Sequence, residues 1–149
     1  MRWLALALGL FAAAALAHNH EKDHIQVRHA WSRATPPGAK VGVGYMEIRN
    51  RSAQPDKLIY ASSPMAETVE FHVTQREGDI MKMRQVRVFE LRARERFVMR
   101  PGASHLMLVE LLRPLKQGER IPMTLRFERA GELQIELEVQ EIGSRHPRH

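Results

Sequence analysis

The residues best suited to chemistry in this sequence are histidine and methionine. The chain contains eight of each and no cysteine. The absence of cysteine excludes a disulfide framework, an iron–sulfur cluster, a thiolate zinc site, a cysteine nucleophile and a blue-copper site. A site for a soft metal ion must therefore be built from imidazole and thioether groups. Thioether sulfur is neutral and soft, so this combination favours Cu(I) over Zn²⁺, Mg²⁺ or Ca²⁺.

The alternation of apolar and polar residues indicates which way His72 points. In the segment 67–73, the residues Val69, Phe71 and Val73 share one face of a predicted strand. Successive side chains of a strand point to opposite faces, so His72 lies on the other face, together with Glu70. We therefore expect His72 to lie outside the apolar core.

Two further segments place candidate ligands in the same way. His105 and Met107 share one face, because the two leucines that alternate with them are apolar and face the other way. Residues two apart on a strand lie about 6.6 Å from each other on the same face, so both side chains can reach one ion. Met81 and Met83 share a face of a third predicted strand, 80–86, and either one could add a thioether.

The elements that carry these residues are predicted to be short β-strands. Apolar residues recur mainly with period two, and turn residues interrupt them about every ten residues. The clearest case is a predicted hairpin, with strands at 121–127 and 133–139 on either side of a turn at Ala130-Gly131. Further strands are predicted at 41–48, 58–61, 68–73, 80–86, 97–99 and 105–111. We therefore predict one all-β domain, an antiparallel β-sandwich.

The N-terminus has the features of a secretory signal. Arg2 precedes an uncharged stretch rich in Leu and Ala, and Ala15-Leu16-Ala17 has the small-x-small pattern of a cleavage site. The apolar run is shorter than the roughly 20 residues that a membrane-spanning helix needs. We predict a cleaved signal at 1–17, a flexible His-containing arm at 18–24, the domain at 25–142 and a flexible tail at 143–149.

The charge of the chain does not indicate a nucleic-acid partner once export is considered. The formal net charge is +6, from 23 Lys and Arg against 17 Asp and Glu. In an exported protein such a charge supports solubility and attraction to acidic surfaces. We predict a soluble periplasmic protein with no nucleic-acid partner and no membrane span.

The spacing of the candidate ligands resembles the signature of a known family, the periplasmic copper chaperones of the PCuAC type. That signature is a His, ten residues, a Met, twenty-one residues, and then His-x-Met. In this chain His72, Met83, His105 and Met107 occupy all four positions. The likeness also includes the segments 30–34, 44–46, 61–64, 81–84 and 122–127. One departure is Thr74, where many members of the family have a further methionine.

The resemblance implies a fold, a site and a function. The fold would be a cupredoxin-like or immunoglobulin-like β-sandwich, holding one Cu(I) in an exposed site made by His72, Met83, His105 and Met107. The protein would be a monomeric carrier and not an enzyme. It would deliver copper to the binuclear copper centre of cytochrome c oxidase. The implied partners are the copper-bearing subunit of that oxidase and a thiol-containing assembly factor.

The N-terminal arm suggests a secondary copper site. Cleavage after Ala17 would leave a free amine on His18 and an imidazole on His20, and these groups can chelate Cu(II). His18 and His20 are therefore candidate secondary ligands. Met81 is a further candidate, as a substitute thioether beside Met83. Two other functions stay open on this reasoning. One is copper buffering or resistance without delivery, which would use the same pocket, and the other is a copper enzyme with a histidine brace at His18.

Overall fold

The computed structural model describes residues 19–148, and within this range the chain forms eleven β-strands and no helix. The strands are β1 (His20–Lys22), β2 (Ile25–Arg33), β3 (Val41–Asn50), β4 (Asp56–Ser62), β5 (Ala66–Glu77), β6 (Ile80–Val86), β7 (Phe89–Leu91), β8 (Arg96–Val98), β9 (His105–Leu111), β10 (Arg120–Phe127) and β11 (Gly131–Gln140). No helix in this same range is long and apolar enough to cross a membrane. The predicted signal at 1–17 and His18 lie outside the described residues.

The strands are joined in one hydrogen-bonded path that surrounds a single core. Their order is β6-β5-β9-β3-β2-β11-β10-β4-β7, with β1 added to β2 and β8 added to β3. Phe71 and Leu106, near one end of the path, share a core with Leu58 and Leu125, near the other end. A sheet can bring its two ends into one core only by folding over itself, so the prediction of an all-β, cupredoxin-like sandwich is confirmed.

The pairing is antiparallel with one exception among the described strands. The predicted C-terminal hairpin is present. Strands β10 and β11 pair along their length, with Arg120 opposite Glu138 at one end and Phe127 opposite Gly131 at the turn. Gly131 has a φ of 83°, a conformation that favours glycine at the turn. Strand β11 then pairs with β2 in the parallel direction, with Glu138 opposite Trp31. This parallel pair is the exception in the predicted antiparallel sandwich.

Strand β2 is the longest element that the sequence pattern did not predict, and a bulge explains why. His29 has a φ of 50°, and the pairing of β2 with β3 shifts between Arg28 and Trp31. Such a bulge inserts an extra residue and changes which residues face the core. Val27 and Trp31 are buried, and Ser32 next to Trp31 is buried as well, so the period-two pattern fails there.

The segments expected to be a flexible arm and a flexible tail make defined contacts in the structure. His20 lies on β1, opposite Val27 of β2. At the other end, Arg33 Nε donates a hydrogen bond of 2.7 Å to the Ser144 carbonyl oxygen. The arm from residue 20 and the start of the tail are therefore packed against β2, because their backbone groups find partners there.

A buried carboxylate connects the arm to the rest of the sheet. Asp56 accepts hydrogen bonds from the backbone N–H groups of Arg129 at 2.8 Å and Ala130 at 3.2 Å. Its further partners are the backbone N–H of Lys57, at 2.8 Å, and the His24 ring, at 2.7 Å. Burial alone would raise the pKa of Asp56, but its hydrogen bonds outweigh burial and hold the pKa below its usual value. This carboxylate thus holds the arm, β4 and the β10–β11 turn together.

Candidate metal centre

Two candidate histidines face each other across neighbouring strands. Strands β5 and β9 are antiparallel, and their register places His72 directly opposite His105. The two ring centroids are 5.5 Å apart, and the ring planes differ by 25°. The same register pairs the buried residues Phe71 and Leu106 on the opposite face. A slip by one residue would bury His72 and expose Phe71, so core packing specifies the histidine pair.

Met107 lies on the same face of β9 as His105. It follows His105 by two residues and stands opposite Glu70 of β5. Leu106 and Leu108 on the other face are fully buried, whereas Met107 is partly exposed. The alternation predicted for this strand is confirmed, and it leaves the thioether of Met107 on the outer face of the sheet.

The third strand of the site, β6, contributes an exposed methionine. Met83 stands opposite Thr74 of β5, so it is the diagonal neighbour of His72 on the same face. Diagonal neighbours in a sheet are roughly 7–8 Å apart, within reach of a long side chain. Met81 stands opposite Arg76, one pair farther from His72. The register therefore brings Met83 closer to the histidines than Met81, although both are similarly exposed, at 59% and 56%.

The other methionines of the described region have a packing role. Met46, Met99 and Met123 are buried in the core, and Met65 is partly buried against it. Met is a flexible apolar side chain that fills irregular spaces in a core. The methionines of β6 and β9 differ from these four because they are on the outer face.

His105 is held in one neutral form by its surroundings. Its Nδ1 lies 3.1 Å from the carbonyl oxygen of Ala103. A carbonyl can only accept, so Nδ1 carries the proton and Nε2 keeps a free lone pair. Burial is the main reason that the pKa of His105 is lowered, and the nearby His72 lowers it further, against the opposing effect of the Ala103 carbonyl. His105 therefore presents a neutral nitrogen that can bind a metal ion.

His72 is also held by a hydrogen bond, but through its other nitrogen. Its Nε2 lies 2.8 Å from Oε2 of Glu70, which is on the same strand and the same face. Its Nδ1 is buried and has no hydrogen-bond partner among residues 19–148. Sequence reasoning placed Glu70 on the face of His72 but did not predict that it contacts the ring.

The chemistry of the available donors points to a soft metal. Residues 19–148 contain no cluster of three or more His, Asp or Glu that could hold a metal ion. A metal held between His72 and His105 would therefore complete its coordination with thioether sulfur, and Met83 and Met107 share the face of these histidines. Two imidazoles with two thioethers suit Cu(I), which prefers soft and uncharged ligands.

Aromatic side chains support the histidine pair from behind. The ring of Tyr45 on β3 has its centroid 6.4 Å from that of His105, and Trp31 on β2 lies 4.6 Å from Tyr45. Both aromatic residues are buried, and burial raises the pKa of Tyr45. In the sequence these two residues stand out only as part of the family likeness. In the structure Tyr45 lies beside His105, and Trp31 packs against Tyr45.

Of the candidate secondary ligands in the described part of the chain, His20 lies away from this site and Met81 lies beside it. His20 lies on β1, and β2, β3 and β9 separate β1 from β5. Met81 is on the correct face but at the far side of Met83. His18 lies outside the described residues.

The chain is similar to known proteins over most of its length. A family model described as "Putative lipoprotein LpqE-like" matches residues 25–139. A relative from Leifsonia xyli subsp. xyli, "Putative lipoprotein Lxx21020", is 29% identical over 130 residues, which are 83% of this chain and 77% of that protein.

Solved structures of PCuAC domains have the same fold. The apo PCuAC domain of PmoF2 is 30% identical, with a TM-score of 0.76, covering 87% of this chain and 99% of that one. The copper-bound PCuAC domain from PmoF2 is 31% identical, with a TM-score of 0.73, covering 83% and 98%. The Cu(I) form of DR1885 from Deinococcus radiodurans is 32% identical, with a TM-score of 0.63, covering 74% of each chain. The chain therefore belongs to the LpqE-like family, and its domain is of the PCuAC copper chaperone type.

Proposed function

We propose that this protein is an exported copper chaperone that carries one Cu(I) per monomer. The ligands are His72, Met83, His105 and Met107. The observation that carries the proposal is the juxtaposition of His72 and His105, in register on neighbouring strands, with two methionines on the same face. The copper-bound PCuAC domain of PmoF2 and the Cu(I) form of DR1885 support copper as the cargo.

The exposure of the four ligands suggests how the ion enters and leaves. His105 is buried and His72 is mostly buried, whereas Met83 is 59% exposed on an edge strand. A thioether is a neutral ligand, so it can leave the metal ion without taking up a proton. An incoming thiolate or thioether of another protein would therefore replace Met83 first and the histidines last. Such stepwise exchange transfers Cu(I) without releasing it into water.

The recipient that we propose is the binuclear copper centre of cytochrome c oxidase, reached directly or with a thiol-containing assembly factor. Removal of residues 1–17 would release the chaperone in the periplasm. The transfer involves no turnover of a substrate, so the protein acts as a carrier and not as an enzyme. A site without thiolate suits this compartment, because thioether and imidazole do not form disulfides.

The ligand assignment is tested by anaerobic competition of the mature protein with a coloured Cu(I) chelator. We expect one Cu(I) per chain, with tight binding lost in His105→Ala and in Met107→Ala. Met83→Ala should weaken binding, whereas Met81→Ala is the matched control on the same face and should retain it. Wild-type affinity in a His105→Ala/Met107→Ala double variant would contradict the assignment. X-ray absorption should detect both nitrogen and sulfur neighbours of copper.

Delivery is tested in cells that lack the gene. Oxidase activity should fall, and either added copper or the wild-type gene should restore it. A gene carrying Met107→Ala should not restore it. Normal oxidase activity combined with reduced tolerance of copper would instead indicate buffering by the same pocket.

A further inference from the structure

The two histidines of the site are held through different ring nitrogens. His105 is held through Nδ1, by the Ala103 carbonyl oxygen at 3.1 Å. His72 is held through Nε2, by the Glu70 carboxylate at 2.8 Å. The side chains of His72 and Glu70 are 12% and 31% exposed, so the hydrogen bond is partly shielded from water. The two rings therefore present different nitrogens to a ligand.

The contact with Glu70 determines which nitrogen of His72 is available. A carboxylate accepts hydrogen bonds, so in the neutral imidazole the proton is on Nε2 and the free lone pair is on Nδ1. That Nδ1 is buried without a hydrogen-bond partner in the described part of the chain. Buried polar atoms usually have a hydrogen-bond partner, so an unpartnered ring nitrogen beside other candidate ligands is the nitrogen that can accept a metal ion.

We propose that Glu70 is a positioning residue that keeps His72 in the Nε2–H tautomer, so that His72 binds Cu(I) through Nδ1 while His105 binds through Nε2. The proposal rests on the function proposed above. Histidines that bind metals usually donate their second ring N–H to a carboxylate or a backbone carbonyl, which fixes the ring and raises its basicity. Here Glu70 supplies the carboxylate for one ring and Ala103 supplies the carbonyl for the other.

The position of Glu70 in the sheet suits this role. It precedes His72 by two residues on the same face and stands opposite Met107 of β9. It also borders an open cavity of about 300 Å³, which Tyr60, Thr68 and Gln85 help to line. Because this side of the carboxylate is open, Glu70 can hold the His72 ring without the full cost of burying a charge.

The first test is nitrogen NMR of the imidazoles in the apo protein at an alkaline pH. The ¹⁵N shifts of a neutral ring distinguish a protonated nitrogen from an unprotonated one. We expect protonated Nε2 and unprotonated Nδ1 for His72, with the reverse for His105. On addition of Cu(I), the signals of His72 Nδ1 and His105 Nε2 should shift, and both N–H protons should remain.

The second test compares three variants. Glu70→Ala should mix the tautomers of His72 and weaken Cu(I) binding about 10–100-fold, the usual effect of losing such a partner. Glu70→Gln keeps an oxygen that accepts a hydrogen bond, so it should retain the tautomer and most of the affinity. Glu67→Gln is the matched control, because Glu67 is an exposed residue of the same strand, and it should leave both properties unchanged.

The outcomes separate this inference from the proposed function. Unaltered His72 tautomer and affinity in Glu70→Ala, or a copper-induced shift at His72 Nε2, would overturn the positioning role while leaving the copper site intact. Failure of the wild-type protein to bind Cu(I) would overturn the proposed function, and the apo spectra would still decide the tautomer. If Glu70→Ala does not fold, the loss of the Nε2–H tautomer in a folded Glu70→Leu variant carries the same test.

Discussion

Two adjacent residues of β9 should separate the stability of the domain from its binding of copper. Leu106 is fully buried in the core, whereas Met107 is partly exposed on the face of the histidines. Deletion of a buried leucine side chain costs about 2–5 kcal/mol, from lost burial and the cavity left behind. Truncation of Met107 should cost only about 1–2 kcal/mol, since part of its side chain is already in water.

These differences can be measured by urea unfolding of the apo protein. With a urea dependence of about 2 kcal/mol per molar, Leu106→Ala should lower the midpoint by about 1–2.5 M. Met107→Ala should lower it by less than about 1 M. With copper bound, Met107→Ala should become the more destabilising of the two substitutions. Free Cu(I), buffered at about a thousand times the dissociation constant, adds about 4 kcal/mol to the free energy of unfolding. Leu106→Ala should keep this increment, and Met107→Ala should lose most of it.

Two results would refute the reasoning. If both variants lost the copper-dependent increment to the same extent, the two side chains could not act on opposite faces of the strand. If Leu106→Ala unfolded at the same urea concentration as the wild type, the core side of β9 would be assigned wrongly. Unfolding curves with and without copper for the same two variants distinguish these cases.

Three further predictions concern the framework around the site. Asp56→Ala should lower the free energy of unfolding by about 3–5 kcal/mol, because it leaves buried donors without an acceptor. Urea unfolding measures this loss, and a loss below about 1 kcal/mol would contradict the prediction. The pKa of Glu47 is lowered to about 2, first by the hydrogen bond from Arg96, so its stabilisation is present above the usual value of 4.5 and disappears as the pH falls to about 2. Glu47→Gln should therefore unfold with less dependence on pH between these values, and an unchanged slope would show that other carboxylates dominate acid unfolding. Gly44→Ala would place its Cβ 3.2 Å from Leu137 Cδ1, so it should lower the free energy of unfolding by about 1–3 kcal/mol and lower Tm. An unchanged Tm would contradict this prediction and show that Leu137 moves aside.

The faces of the site strands could be predicted from the sequence because alternation is a local property. Leucines on both sides of Met107 are enough to place it on the outer face, since successive residues of a strand point in opposite directions. The same reasoning correctly placed His72 outside the core. The hairpin of β10 and β11 was predictable for the same reason, because its strands and turn are contiguous in the chain.

Local reasoning failed where the backbone departs from regular alternation or where contacts are distant in sequence. The bulge at His29 concealed β2, because an inserted residue changes the face of those that follow. The arm was expected to be flexible because it lacks apolar periodicity. The contact that joins the arm to the sheet is between His24 and Asp56, which are 32 residues apart in the chain, so local pattern could not reveal it.

Residue types and spacing thus sufficed to predict the class of fold and the faces of the site strands, because these depend on composition and on a repeat of two residues. The tertiary structure decided that His72 stands opposite His105, that Met83 is nearer than Met81, and that Glu70 holds one ring while Ala103 holds the other. These relations depend on strand register, and the packing of core residues such as Phe71 against Leu106 specifies that register across strands that are far apart in the chain.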